Sequence, residues 1–301
     1  MKKIITTITL AFLVIFNAVS QQEKSYLDKR GKKQLCGPFE LEALTTDTTY
    51  SDWFEKNYND YQVQLDTAVW IQNLSNTTVD IYIGTWCGDS RTWVPRFVKF
   101  WEELGLDKSQ LNFIGLYNGI EKYKQGPNGE EKGKRIHHVP TFIFTEAGNE
   151  IGRIVENPHT SLLTDVAQIA LGYPSAANYK GASYLFELID TVSLDTIYAN
   201  YKYYLNTVYR MVYGSGELNG LGYVLLRSNR MKEAELTFRM NTRYFPNDPN
   251  VYDSYGEVLA KLGKKEEAIK QYQKVLKLSP DDKNALAQLK ILKGKRKRKA
   301  S

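Results

Sequence analysis

The chain has 301 residues, 42% apolar and 25% charged, with a formal net charge of +6. That length allows one or two substantial cores and predicts about two domains. Lys2 and Lys3 carry two of the positive charges, and Lys290, Lys293, Lys295, Arg296, Lys297, Arg298 and Lys299 carry seven more, so the remaining body stands near −3. The basicity is therefore a tail and not a folded face of interleaved basic and aromatic residues, which argues against a nucleic-acid partner.

Residues 1–20 read as a secretory signal: Lys2 and Lys3, an apolar stretch from Ile4 to Phe16, then the small residues Ala18 and Ser20. The stretch is shorter than the roughly 20 residues that span a bilayer. Cleavage after Ser20 would leave an exported chain, periplasmic or extracellular, with no stable membrane anchor, and no lipid-accepting cysteine follows the apolar run. Residues 21–59 form an N-terminal extension with a polar start, a turn at Leu35-Cys36-Gly37-Pro38, and a helix-spaced set Trp53, Phe54 and Tyr58. Val63, Leu65, Val69, Trp70 and Leu74 continue as a second amphipathic segment, broken by 73–78 before the apolar strand from Val79 to Gly84.

At the end of that strand stands Thr85-Trp86-Cys87-Gly88-Asp89-Ser90. The helix beyond it carries Trp93, Val94, Phe97, Phe100, Trp101 and Leu104 as an apolar stripe, with Pro95 inside it as a kink. A strand that hands a cysteine to a helix start puts the sulfur at the positive end of the helix dipole, where a thiolate is favoured. Asp89 opposes that ionisation by its charge, or serves only as a dipole-stabilising acid in the first turn. Residues 111–117 read as a buried strand, 126–135 as an exposed Gly-rich loop, and 141–145 and 151–155 as strands about an Ala147-Gly148-Asn149 hairpin signal. Thr160 or Ser161 caps a helix through Leu171.

The Trp-Cys pair at a helix start, Pro95 within that helix and Val139-Pro140-Thr141 downstream together resemble the thioredoxin family over residues 60–172. The resemblance implies an α/β thioredoxin-like domain, a central mixed sheet flanked by helices. It also implies that Cys87 is the nucleophile, that Pro140 is cis, and that Val139 offers its backbone to an extended substrate. Trp86, Gly88 and Asp89 complete the substrate-binding set. The family's second active-site cysteine falls at Ser90, which forms no disulfide but can donate a hydrogen bond to the sulfur. Three outcomes stay open. Cys87 acts as a monothiol resolved by a glutathione-like small thiol or by the client's own cysteine; Cys36 resolves it; or the site only binds. His137 and His138 are read as a surface pair, with no metal site, and no cofactor is expected.

The C-terminal half changes character. Gly222, Ala234, Phe238 and Pro246 recur as Gly256, Ala268, Tyr272 and Pro280, each pair 34 residues apart. Small residues where paired helices cross, an aromatic in the second helix and an exit proline at that period resemble the tetratricopeptide repeat. The expectation is a breaker-rich linker at 173–182, an all-α helical repeat domain at 183–293 and a basic tail at 294–301. Two repeats rarely stand alone, so residues 183–213 should supply another helical pair, with Tyr198, Tyr201, Leu205, Val208 and Val212 as its apolar rows, and Leu286, Leu289 and Leu292 should close the array. Asn219, Tyr223, Asp253 and Glu257 are placed in a partner-binding groove by repeat position; the alternative is an array that only buttresses the first domain. The chain thus reads as a monothiol thiol-disulfide oxidoreductase or isomerase acting on protein or peptide clients, or as a non-enzymatic binding scaffold of the same shape.

Overall fold

A computed structural model describes residues 25–63 and 69–294. The expected signal, Leu65, and all but the first residue of the basic tail lie outside the described residues. Among them, no helix is long and apolar enough to cross a membrane.

The first half is a five-stranded mixed sheet with helices packed on it. A hairpin of β1 (Ser25–Leu27) and β2 (Lys33–Leu35) leads into β3 (Gly37–Phe39), then α1 (Glu42–Thr46), α2 (Ser51–Asp60) and a 3-10 turn at Val69–Leu74. β4 (Thr77–Ile83), α3 (Gly88–Glu103), β5 (Leu111–Gly115), β6 (Thr141–Glu146), β7 (Asn149–Val155) and α4 (Leu162–Ala170) follow. The sheet order is β3-β5-β4-β6-β7; β4 and β5 are parallel, and every other pairing is antiparallel. Strand periodicity divides the side chains between two cores. Val79, Ile81, Phe113, Phe142 and Phe144 meet α3 and α4 on one face, while Tyr82, Ile114 and Ile143 fill the other with Leu116, Ile136 and Val139. The stripe of α3 packs as its spacing predicts: the Phe97 ring lies 4.5 Å from Phe142, and Trp101 is wholly buried beside Phe144. The β6–β7 turn is made by Ala147 (φ +47°) and Gly148 (φ +81°), the primed conformation that suits a two-residue hairpin.

Two expectations need correcting here. The described part of the expected extension, residues 25–59, joins the sheet unit: β3 pairs with β5 as its edge strand, and α2 packs on α3. Gly115 permits this approach, because a Cβ there would stand 2.6 Å from the Leu35 carbonyl oxygen. The loop at 126–135 is half-buried rather than exposed; the Tyr82 hydroxyl donates to Glu130 O at 3.0 Å, and Pro127 covers Gly37.

The second half is all helical: α5 (Lys180–Thr191), α6 (Leu194–Ala199), α7 (Tyr201–Tyr209), α8 (Ser215–Arg227), α9 (Met231–Tyr244), α10 (Pro249–Lys261), α11 (Lys265–Leu278) and α12 (Lys283–Gly294). α5 begins inside the expected linker, and three helices stand where one pair was expected. The repeat has a steric cause. A Cβ on Gly222 would come within 2.4 Å of the Phe238 ring, and one on Gly256 within 2.9 Å of Tyr272. Each glycine thus lets the aromatic of the second helix seat against the backbone of the first. Asp248 caps α10 by accepting the Asn250 N–H at 2.9 Å, with Pro249 at the first helical position. α12 buries Ala285 and Leu289 but leaves Leu286 half exposed.

Candidate active site

β4 stops at Gly84, whose missing side chain makes room for Trp86; a Cβ there would fall 2.6 Å from the indole. The Trp86 N–H donates to Leu116 O at 2.8 Å, and the buried Thr85 hydroxyl accepts from Leu35 N and donates to Gln34. The chain is so held on both sides that Cys87, in an extended conformation, becomes the N-cap residue of α3. Its thiol donates to Val139 O at 3.3 Å and lies 3.8 Å from a carboxylate oxygen of Asp89. The Val139–Pro140 bond is cis, as the resemblance implies, and the loop before β6 lies against the cysteine.

Ser90 is fully buried; its oxygen accepts the Gly84 N–H at 3.2 Å and is also hydrogen-bonded to the sulfur. The helix start acts in the expected direction, since the backbone N–H groups of Asp89 and Ser90 both favour the thiolate. Burial outweighs them: it pushes the Cys87 thiol above its ordinary value, with the Asp89 charge adding to the rise. The helix start and Asp89 pull in opposite directions and leave the sign open in the sequence; burial decides it. Cys36 is buried and reduced, with its sulfur hydrogen-bonded to the Tyr117 hydroxyl.

The helical half supplies the opposite wall. A cavity of about 390 Å³ is lined by Trp86, Cys87 and Val139 on one side and by Gly216, Asn219 and Tyr223 of α8 on the other. A wider groove of about 1000 Å³ shares Tyr123 and Tyr223 with it and runs out to Tyr117, Leu27 and Arg227. Of the four groove residues expected from repeat position, Asn219 and Tyr223 are brought to the cysteine. Asp253 and Glu257 are not: Asp253 accepts from Asn284 of α12, and Glu257 pairs with Arg227 at 2.8 Å while lying 3.3 Å from the Tyr223 hydroxyl. Gly88 and Asp89 are exposed at the rim.

His137 and His138 are buried in the junction, not on the surface. Their Nδ1 atoms lie 2.8 Å apart, and His137 Nε2 is 2.9 Å from the Ser183 hydroxyl of α5. The His138 ring stacks on Tyr179 at 3.7 Å and against Gly220, where a Cβ would come within 3.1 Å. Desolvation holds His137 down at about 3 and His138 well below its ordinary value, with the positive charge of Lys124 adding to both. Both imidazoles are neutral, so one Nδ1 donates and the other accepts. Among the described residues no group of three His, Cys, Asp or Glu side chains could hold a metal ion.

Three residues without a motif complete the site. Lys124 and Glu156 line the cavity with Cys87, and the Tyr179 hydroxyl donates to the Glu156 carboxylate. Burial lifts Glu156 to about 7 and lowers Lys124 to about 8. All three have left-handed backbones, with φ of +54°, +65° and +63°. No spacing marks them in the sequence, because they come from a loop, a strand end and the interdomain connector.

Residues 249–282, which span α10 and α11, match the tetratricopeptide repeat family. No curated protein matches the chain. The C-terminal half therefore carries a tetratricopeptide repeat set in a helical array, and that array walls a cavity opening on the cysteine of the sheet unit.

Proposed function

We propose that the protein is an exported monothiol thiol-disulfide exchange protein, thioredoxin-like in its sheet unit, whose clients are extended protein or peptide segments. The observation that carries this reading is the juxtaposition of Cys87, as N-cap residue of α3, with the cis Val139–Pro140 loop at 3.3 Å. In the exchange, the Cys87 thiolate attacks a client disulfide; a Cys87–client bond forms, and the client's second sulfur leaves as a thiolate and takes up a proton. A glutathione-like thiolate then attacks the client sulfur of this mixed disulfide: a disulfide forms between client and small thiol, and Cys87 leaves as the thiolate. Burial of Cys36 against Tyr117 favours this external thiol over an internal resolving partner. Tetratricopeptide arrays are used as peptide-binding surfaces, and Asn219 and Tyr223 extend that use to the mouth of the thiol site.

The test is turnover of a glutathionylated peptide in the presence of glutathione. Multiple turnovers that vanish in Cys87→Ser and persist in Cys36→Ser are expected. Ser90→Cys should raise insulin-disulfide reduction, and no gain would count against a competent site. The raised thiol and its cover by α8 favour a second reading, a binding scaffold without redox cycling. Stoichiometric or absent reaction would select it.

A further inference from the structure

Six described non-glycine residues have a positive φ, and Lys124, Glu156 and Tyr179, three of the six, cluster at the Cys87 cavity and its flank. Such conformations cost energy and persist where the surroundings demand them, so their concentration here marks a built site. Lys124 is only 5% exposed. One of its three ammonium donors is used on His137 O at 2.7 Å, and its charge lies over the Tyr123 ring. Among the described residues no carboxylate lies within ion-pair distance of it. A cation this deeply buried is costly unless an anion forms beside it. The cavity it lines holds one group that becomes an anion in the reaction, the sulfur of Cys87.

We propose that Lys124 is the counter-ion of the Cys87 thiolate, a positioning residue set in the loop after β5, and that Glu156 is the carboxylate that balances it when the sulfur is protonated. The titratable groups about the sulfur are Asp89 of α3, Tyr123 and Lys124, His138 ahead of Pro140, Glu156 beyond β7 and Tyr223 of α8. His138 is neutral, and burial and neighbouring negative charge keep both tyrosines protonated near neutral pH. This leaves Lys124 as the cation of the set, against Asp89 and Glu156. A charged Cys87 favours the ammonium form of Lys124, and Lys124 favours the ionised form of Glu156. As a disulfide client is attacked, the negative charge passes from Cys87 to the departing sulfur within the same cavity, and the buried ammonium serves both states.

The experiment is the pH profile of Cys87 alkylation by iodoacetamide, in which thiolate sulfur displaces iodide, read on the Cys87 peptide by mass spectrometry so that Cys36 does not contribute. Lys124→Met should move the midpoint to higher pH and slow alkylation at pH 7.5 by about tenfold, the equivalent of one pH unit. Glu156→Gln should move it to lower pH and quicken the reaction by about threefold. Opposite shifts distinguish a charge effect from loosened packing, which would move both variants the same way. An unmoved midpoint in either variant, or shifts of one sign, would overturn the proposal; if Lys124→Met does not fold, Glu156→Gln alone decides. The role rests on the thiol-exchange reading for its use, yet alkylation reports the thiolate whether or not turnover occurs, so the two ideas fail separately.

Discussion

The sheet unit and the helical array bury their aromatics by different means. In the sheet unit Phe97, Trp101, Phe142 and Phe144 meet across long sequence separations, with one strand and one helix delivering rings to one layer. In the array each ring meets a glycine sixteen residues earlier in its own hairpin, as Phe238 meets Gly222 and Tyr272 meets Gly256. The first arrangement exists only when the whole sheet is assembled; the second is remade in each repeat. Between them lies a junction of neutral histidines, Tyr179 and α8, so the cysteine of one unit opens onto a cavity that needs both.

The largest effects should come from the two cores. Trp101→Ala and Phe238→Ala should each cost about 3–5 kcal/mol. Because the junction buries His137, His138 and Ser183 contacts between the halves, urea denaturation followed by tryptophan fluorescence and by circular dichroism should show one shared transition in both variants. Two separated transitions would break the coupling. Within the array, Gly222→Ala should destabilise by about 2 kcal/mol through overpacking. Gly256→Ala should cost less, because its Cβ would stand 2.9 Å from the facing ring rather than 2.4 Å. Equal losses would show that the two repeats do not differ as their distances imply.

The junction itself should respond to pH. His137 is held at about 3 in the folded chain against 6.5 when free, so the unfolded state takes up the proton first as pH falls, and stability is lost from about pH 6.5 downward. One such histidine costs about 2 kcal/mol at pH 5. Glu156 works the other way: raised from 4.5 to about 7, it holds its proton better when folded and adds stability as pH falls through that window. Denaturation at pH 7, 6 and 5 should therefore show a steeper loss in Glu156→Gln than in the parent, and parallel curves would refute the opposition. The smallest effects are local. Ser161→Ala at α4 and Asp248→Ala at α10 should each cost about 1 kcal/mol, since each side chain accepts a first-turn N–H.

Much of this architecture was legible because local patterns report local geometry. The apolar run of β4, the stripe of α3 and the Ser161 cap place their elements within about three residues, and the 34-residue recurrence places α8 to α11. β3 was missed because three residues around a Gly-Pro step carry no periodicity, and it becomes a strand only through β5. The histidines were misplaced because adjacent polar residues look solvated until α5 and α8 close over them.

By itself the sequence determined that a strand delivers Cys87 to a helix, that Ser90 follows it three residues later, and that glycine and aromatic residues recur at a helical-repeat period. These follow from neighbours a few residues apart, or from a repeat, and need no distant partner. Only the tertiary structure decided that α8 walls the thiol cavity and that Lys124 and Glu156 share it. It also decided that burial raises the sulfur's pKa against the pull of the helix start. Desolvation acts through space: Val139 and α8, which wall the cavity about the sulfur, lie dozens of residues from Cys87, while the Asp89 charge that adds to the rise is two residues away.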